Sequence, residues 1–460
     1  MAEDSLHIVV LAAGQGKRMN SSLPKVLQPV GGAPMLQHVL ETALALKPEA
    51  VHVVVGHGAD RVEALLSGRA DPRLHAVEQT RQLGTGHAVM QALPAIPDPA
   101  RVLVLYGDMP LVRPATLQGL ISLDARLAVM SFIAADPTGY GRILRDAEQR
   151  VTGIREQRDA TLDEQRIDEV NSGVMIAGAA DLRAWLERVG NDNSQHEYYL
   201  TDCVALAVAD GAPVQALICD DADEPAGAND MLQLAALEAA LQRRRRGALM
   251  AAGVRMLHPD SVQLRAEVAA GREVEIDQGV VLEGEIELGD GVSIGTGCVL
   301  RNVRLAAGTR IEPHSVLDGV ETTGPCTVGP FARLRPGTVL AAGVRIGNFV
   351  ETKNARFGEG AKANHLSYAG DAEIGARANL GAGTITCNYD GANKHRSEIG
   401  ADVFIGSNSA LVAPVEIGEG ATIGAGSVVT GKVPGQALTV ARARARTIPG
   451  WRRPRKKTAP

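Results

Sequence analysis

The chain has 460 residues, too many for one ordinary core, so two or three domains are expected. An apolar share of 45% with 22% charged residues excludes a disordered chain, and a net charge of −6 argues against nucleic acid as the main partner, because phosphate backbones attract clustered positive charge. Five widely spaced cysteines, Cys203, Cys219, Cys298, Cys326 and Cys387, with no CxxC pair, argue against a disulfide framework or a zinc site and fit a reducing cytoplasm.

The N-terminus is acidic, and its apolar run Leu6–Ala12 is short and ends in glycines. It is expected to be the first strand of a domain rather than a signal peptide. No apolar stretch approaches the roughly 20 residues that span a bilayer. Further apolar runs follow at Val51–Val55, Val102–Tyr106 and Val174–Ala177, with amphipathic stretches such as Met35–Leu46 and Tyr198–Ala209 between them. This βαβα order predicts an α/β domain over residues 1–229, Rossmann-like, with a mainly parallel sheet whose ligands bind beyond the carboxyl ends of the strands. From Asn229 to Ala251 the chain is rich in helix formers and has no proline, which predicts one long helix. That helix is read as a linker over 230–251, with the Arg243–Arg246 run as its solvated end.

From residue 252 to 460 the period changes to six. Leu282, Leu288, Ile294 and Leu300 form one run; Val328, Leu334, Leu340 and Ile346 a second; Ile399, Ile405, Leu411, Ile417 and Ile423 a third. This is the hexapeptide signature of a parallel β-helix. Each hexapeptide forms one flat side with its aliphatic residue inward, and the small residue beside it lets the chain turn. The 51 glycines and the 3% aromatic share fit such tight, repetitive turns. The phase breaks between Ile346 and Phe357 and between Leu380 and Ile399, which predicts two loops leaving the prism, where function tends to sit.

The first strand runs into Leu11-Ala12-Ala13-Gly14-Gln15-Gly16-Lys17-Arg18-Met19, followed by Pro24-Lys25. The third glycine of a dinucleotide fingerprint is missing, and Arg18 stands where a P-loop needs Ser or Thr. The whole string instead resembles the signature of sugar-1-phosphate nucleotidyltransferases. Gln79 to Gly86, including Gly84 and Thr85, is similar to that family's uracil-contacting segment. Tyr106-Gly107-Asp108 ends a buried strand, and Gly141, Glu156 and Asn171 match sugar-contacting positions. The resemblance implies Mg²⁺ held by Asp108 and Asn229, with Arg18 and Lys25 stabilising the phosphates of UTP and the sugar phosphate. Asn229 also suits a helix cap, a reading that stays open at this point.

Behind this, Arg335, Glu351-Thr352-Lys353, His365-Leu366-Ser367-Tyr368 and Leu380 to Asp390 resemble the bifunctional N-acetylglucosamine-1-phosphate uridyltransferase / glucosamine-1-phosphate acetyltransferase family, over nearly the whole chain and in the right order. The resemblance implies acetyl transfer from acetyl-CoA to glucosamine-1-phosphate, then uridylyl transfer to N-acetylglucosamine-1-phosphate. It implies His365 as base and Glu351 as a residue that orients the imidazole or helps bind the amine. Arg335, Lys353, Tyr368, Asn379, Asn388 and Tyr389 become sugar and phosphate ligands. Ala382, Asn388, Tyr389, Ser407, Ala425 and Arg442 become acetyl-CoA contacts. A left-handed helix and a cytoplasmic homotrimer are also implied. The competing expectations are a single-activity nucleotidyltransferase with a regulatory β-helix, and a non-catalytic assembly subunit. The second would be expected to lose Arg18, Lys25, Asp108, Lys353 and His365, all of which are present.

Overall fold

The computed structural model describes residues 5–14 and 16–454, apart from the Lys17 side chain; the end of the basic tail lies outside the described residues. The chain folds as two compact units that divide between Arg243 and Arg244.

In the first unit, strands follow the order Val214–Ile218, Leu127–Ile133, Glu169–Gly178, Arg101–Tyr106, Leu6–Leu11, Ala50–Val55, Leu74–Glu78. Every pair in this order is parallel except those made by Glu169–Gly178, which runs antiparallel to both neighbours. The central strands are apolar on both faces because helices cover both. Ile8, Val10, Val51, Val53 and Val55 enter one core, and Val9, Val54, Val102 and Val104 the other. From Leu6–Leu11 the chain winds outward through Ala50–Val55 to Leu74–Glu78. It then returns to the other side of Leu6–Leu11 as Arg101–Tyr106. That reversal opens a crevice at the carboxyl ends of these two strands, where α/β sheets place ligands.

The helix expected from Tyr198 begins only at Asp202 and runs to Ala209. The Tyr198 backbone is already engaged: its N–H donates to the Leu83 carbonyl and its carbonyl accepts from Gly86, both at 2.8 Å. The long helix runs Met231–Ala251. The arginine run lies inside it and is not simply its solvated end. Arg243 is exposed and pairs with Asp223 at 2.6 Å, whereas Arg246 is 8% exposed and donates to the carbonyls of Asp260 and Val262. Arg246 already belongs to the second unit, and its guanidinium can be buried there because its several donors find carbonyls.

The second unit is a left-handed parallel β-helix. One face is an 11-stranded sheet; the other two share a 14-stranded sheet whose longer strands, such as Val281–Leu288 and Ala410–Ile417, bend round a corner. Every member of the three aliphatic runs is buried in one continuous core. The first expected loop is absent. Thr352 takes the inward position after Ile346, fully buried, and its hydroxyl meets that of Thr338 at 2.9 Å. A polar residue satisfied inside the prism had hidden the period. The second loop is present at residues 388–396, after Thr386 has filled the inward place. Among the described residues no helix is long and apolar enough to cross a membrane.

In the first unit His7 and His52 stack at 5.5 Å, with a ring nitrogen of each 3.2 Å from the other. Burial, then the neighbouring His7 and His75, pulls His52 down to about 4. The folded state therefore holds it neutral, while the unfolded chain takes up a proton near 6.5. This contribution is complete above pH 6.5 and is lost as pH falls toward 4. The urea midpoint of the first unit is expected to drop over that window, and His52→Gln should flatten the drop; an unchanged slope would contradict it.

Candidate active sites

The crevice of the first unit is a cleft of about 240 Å³, lined by Leu11, Ala13, Gly14, Lys25, Gln79, Gly84, Thr85, Tyr106 and Asp108 among others. The turn after the first strand depends on glycine at one defined place. Gly16 has φ +58°, and a Cβ there would stand 2.7 Å from the Lys25 Cβ. Gly84, at φ +111°, would meet the Tyr198 carbonyl at 2.6 Å. Gln79 is buried and donates to the Gly84 carbonyl at 3.3 Å, which holds that segment against the cleft. Ala12 is buried beneath the turn, and Gly107 lies against Val26 and Leu36, so both shape the cleft from behind.

Two oxygens converge on one ammonium here. Lys25 Nζ forms an ion pair with Asp108 and donates to Asn229 Oδ1 at 2.7 Å. Asn229 is free to do so because Asp230 caps the following helix: Asp230 Oδ1 accepts from the Gln233 N–H at 2.9 Å, and Gln233 Oε1 accepts from the Asn229 N–H at 2.7 Å. The cap reading of Asn229 therefore passes to its neighbour. Among the described residues there is no cluster of three or more His, Cys, Asp or Glu able to cage a metal alone. A carboxylate and an amide oxygen sharing one cation fit the incomplete oxygen set of a divalent ion that substrate phosphates complete.

Tyr106 leads from this point toward Gly141, Glu156 and Asn171. Its ring packs where a Cβ on Gly173 would stand, and burial, followed by the charges of Glu156 and Asp108, pushes its hydroxyl well above the usual tyrosine range. Asn171 donates its N–H to the Gly141 carbonyl at 2.8 Å, and Glu156 lies beside Gly141. Burial raises the Glu156 carboxyl despite a hydrogen bond from Thr201. Arg18 is exposed on the turn Lys17–Met19 and does not line the cleft. Val26, Gln82, Ala88 and Glu197 line it as well. Gln82 falls within the segment the sequence singled out; the residue types of Val26, Ala88 and Glu197 carry no such signal.

In the second unit the register between coils assembles the other constellation. Asn348 pairs with His365, and the same register carries on through Asn379, Phe404 and Thr422. Asn348, His365, Ala382, Ser407 and Ala425 therefore occupy equivalent positions on successive coils. Backbone bonds tie the column together: Asn408 N–H to Ala382 O at 2.7 Å and Gly426 N–H to Ser407 O at 2.8 Å. At a strand spacing of ~4.8 Å, His365 to Ala425 spans about 14 Å. Arg442 continues beyond it and donates to the Ala425 carbonyl.

On the adjoining face Glu351 pairs with Tyr368 in register and accepts from Arg335 at 3.0 Å. The imidazole is not held by Glu351: His365 Nδ1 lies 2.9 Å from Asn348 Oδ1. Lys394, and beyond it Arg335, pushes the Lys353 ammonium below the ordinary lysine value, the mark of a cationic cluster suited to an anion. The Tyr368 hydroxyl and the Asn388 amide lie over Gly370, where a Cβ would strike both. Asn388 donates to Asp371 at 2.5 Å, and Tyr389 is exposed on the loop with its hydroxyl on the Gly391 carbonyl. Asn379 is half-buried one coil above Lys362. Asp371 and Lys394 join this site without a sequence signal of their own.

A model for the MobA-like NTP transferase domain matches residues 8–169, and one for the bacterial transferase hexapeptide matches residues 396–431. The bifunctional protein GlmU of Alkalilimnicola ehrlichii is 60% identical over 98% of this chain and 97% of its own length. That of Stenotrophomonas maltophilia is 55% identical over 98% of this chain and 99% of its own. A solved nucleotidyl transferase from Methanothermobacter thermautotroptrophicus covers 52% of this chain and 99% of its own at 22% identity, with a TM-score of 0.38, too slight a likeness to carry an argument. Identity of this extent over both units and nearly the full length of each relative makes the chain a member of the bifunctional GlmU family.

Proposed function

We propose a division of labour among named residues for the two reactions by which this chain makes UDP-N-acetylglucosamine. The chain is an N-acetyltransferase acting on glucosamine-1-phosphate and a uridylyltransferase acting on N-acetylglucosamine-1-phosphate. The observation that carries the division is the separate grouping of Lys25, Asp108 and Asn229 in one unit and of Arg335, Lys353 and His365 in the other.

For acetyl transfer, the Arg335, Lys353 and Lys394 cluster holds the phosphate of glucosamine-1-phosphate, and Tyr368, Asn379 and Asn388 hold the sugar. Acetyl-CoA lies along the column of Ala382, Ser407 and Ala425, whose small side chains leave room for an extended arm, with Tyr389 beside it and Arg442 at a CoA phosphate. His365 Nε2 takes a proton from the amine as its nitrogen attacks the thioester carbonyl. A C–N bond forms, the C–S bond breaks, and the CoA thiolate leaves and recovers the proton. Glu351, bonded to Arg335, fixes the phosphate-binding guanidinium and faces the incoming amine.

For uridylyl transfer, a phosphate oxygen of N-acetylglucosamine-1-phosphate attacks the α-phosphorus of UTP. The new P–O bond forms as the bond to the β-phosphate breaks, and pyrophosphate leaves. The Leu11–Gly14 turn and Gln79–Thr85 bind the uridine end. Gly107 shapes the floor, and Gly141, Glu156 and Asn171 bind the sugar. Lys25 and Arg18 neutralise phosphate charge. Mg²⁺, held by Asp108 and Asn229, would supply further charge neutralisation at the phosphates when bound. The chain works in the cytoplasm as a homotrimer. The exposed apolar corner of Phe331, Phe349 and Leu366 supports association, and sedimentation at the mass of a single chain would remove it.

Asp108→Ala is expected to abolish uridylyl transfer and leave acetyl transfer intact, as chelation by EDTA should. His365→Ala should lower acetyl transfer by roughly 10²–10⁴-fold and spare uridylyl transfer. Loss of both activities in either soluble, folded variant would sink the two-site assignment.

A further inference from the structure

The base proposed above has two ring nitrogens, and only one can face the amine. Its Nδ1 lies 2.9 Å from Asn348 Oδ1. An amide oxygen only accepts, so the proton of this bond belongs to the imidazole. A neutral histidine with its proton on Nδ1 carries its lone pair on Nε2, the form a general base needs. Asn348 reaches the ring because the two residues are register partners on adjacent coils. The Asn348 backbone is held in turn: its carbonyl accepts from the Leu366 N–H at 3.1 Å, while Ser367 Oγ holds the His365 carbonyl at 2.9 Å.

The surrounding charges leave this bond as the ring's orienting contact. Glu351, the nearest carboxylate candidate from the sequence, is engaged with Arg335. Lys353 is turned to the cluster with Lys394. Among the described residues no carboxylate stands within ion-pair distance of the His365 ring, and Asn348 is the side chain bonded to it.

We propose that Asn348 is the positioning residue of the acetyltransferase: it fixes His365 as the Nδ1–H tautomer and aims Nε2 at the substrate amine. This rests on His365 being the base. A neutral orienter has a consequence that a carboxylate would not share. An amide holds the ring without adding negative charge, so it orients the base without forming the ion pair that a carboxylate would make with the imidazolium. The proton released by the amine goes to Nε2 and leaves with the CoA thiol, while the Nδ1 proton stays on the Asn348 bond throughout.

The test compares kcat, KM and the pH profile of acetyl transfer in the full-length wild type, Asn348→Ala, Asn348→Asp and His365→Gln. Asn348→Ala is expected to lower kcat roughly 10–100-fold, the loss typical of removing a histidine's outer hydrogen-bond partner, with KM for glucosamine-1-phosphate little changed. Asn348→Asp is expected to restore part of kcat and to move the acidic limb of the profile about one unit higher, because a carboxylate stabilises the imidazolium. Wild-type rates of uridylyl transfer in both variants show that the chain is folded. An acidic limb that stays in place in Asn348→Asp, or a kcat near wild type in Asn348→Ala, overturns the proposal while His365→Gln remains inactive. Full activity in His365→Gln overturns instead the assignment of the base.

Discussion

Parallel register between successive coils is the constraint on which the second unit depends. Each coil hands the same position to the next, so Asn348, His365, Ala382, Ser407 and Ala425, far apart in sequence, become one column. The interior enforces this register. A slip of one residue along a strand would turn every inward aliphatic to solvent and every outward polar residue into the core. Leu300, Leu334, Ile405 and Leu411 are all buried, so the cost of slippage is summed over the whole prism. The hydrophobic column that holds the coils in phase thereby aligns the outer edge, which carries the candidate site.

The first unit reaches its site by a different route. Its strands reverse direction of winding beside Leu6–Leu11, and the crevice that results lies where two strand ends meet. Gly16 and Gly84 let the chain approach Lys25 and Tyr198 more closely than any side chain would allow. Lys25, Asp108 and Asn229 come from three segments and meet in one charge-balanced group. In both units the grouped side chains sit on a rigid scaffold and lean on neighbours that fix their orientation.

The α/β sheet, the long helix and the hexapeptide prism were legible because each has its own period, and those periods follow from backbone geometry. The residues named for the first cleft were legible as short motifs in separate segments, and the cleft brings together Leu11, Gly14, Lys25, Gln79, Thr85, Tyr106 and Asp108, with Arg18 standing apart on its exposed turn. Features that depend on a partner distant in sequence were hidden. Thr352 fills an inward place because the Thr338 hydroxyl meets it, so the aliphatic period breaks while the coil continues. Asn348 gains its meaning only through register with His365, and Arg246 only through the carbonyls of Asp260 and Val262. Asn229 could not be separated from a cap until Asp230 was seen to take that role.

The most direct test of the account is thiol release from acetyl-CoA by the purified chain at neutral pH, with and without glucosamine-1-phosphate. The account predicts release that depends on this acceptor and saturates with it. No acceptor-dependent release from a chain that still transfers uridylyl groups would contradict it, and the β-helix would then be a scaffold for the first unit alone.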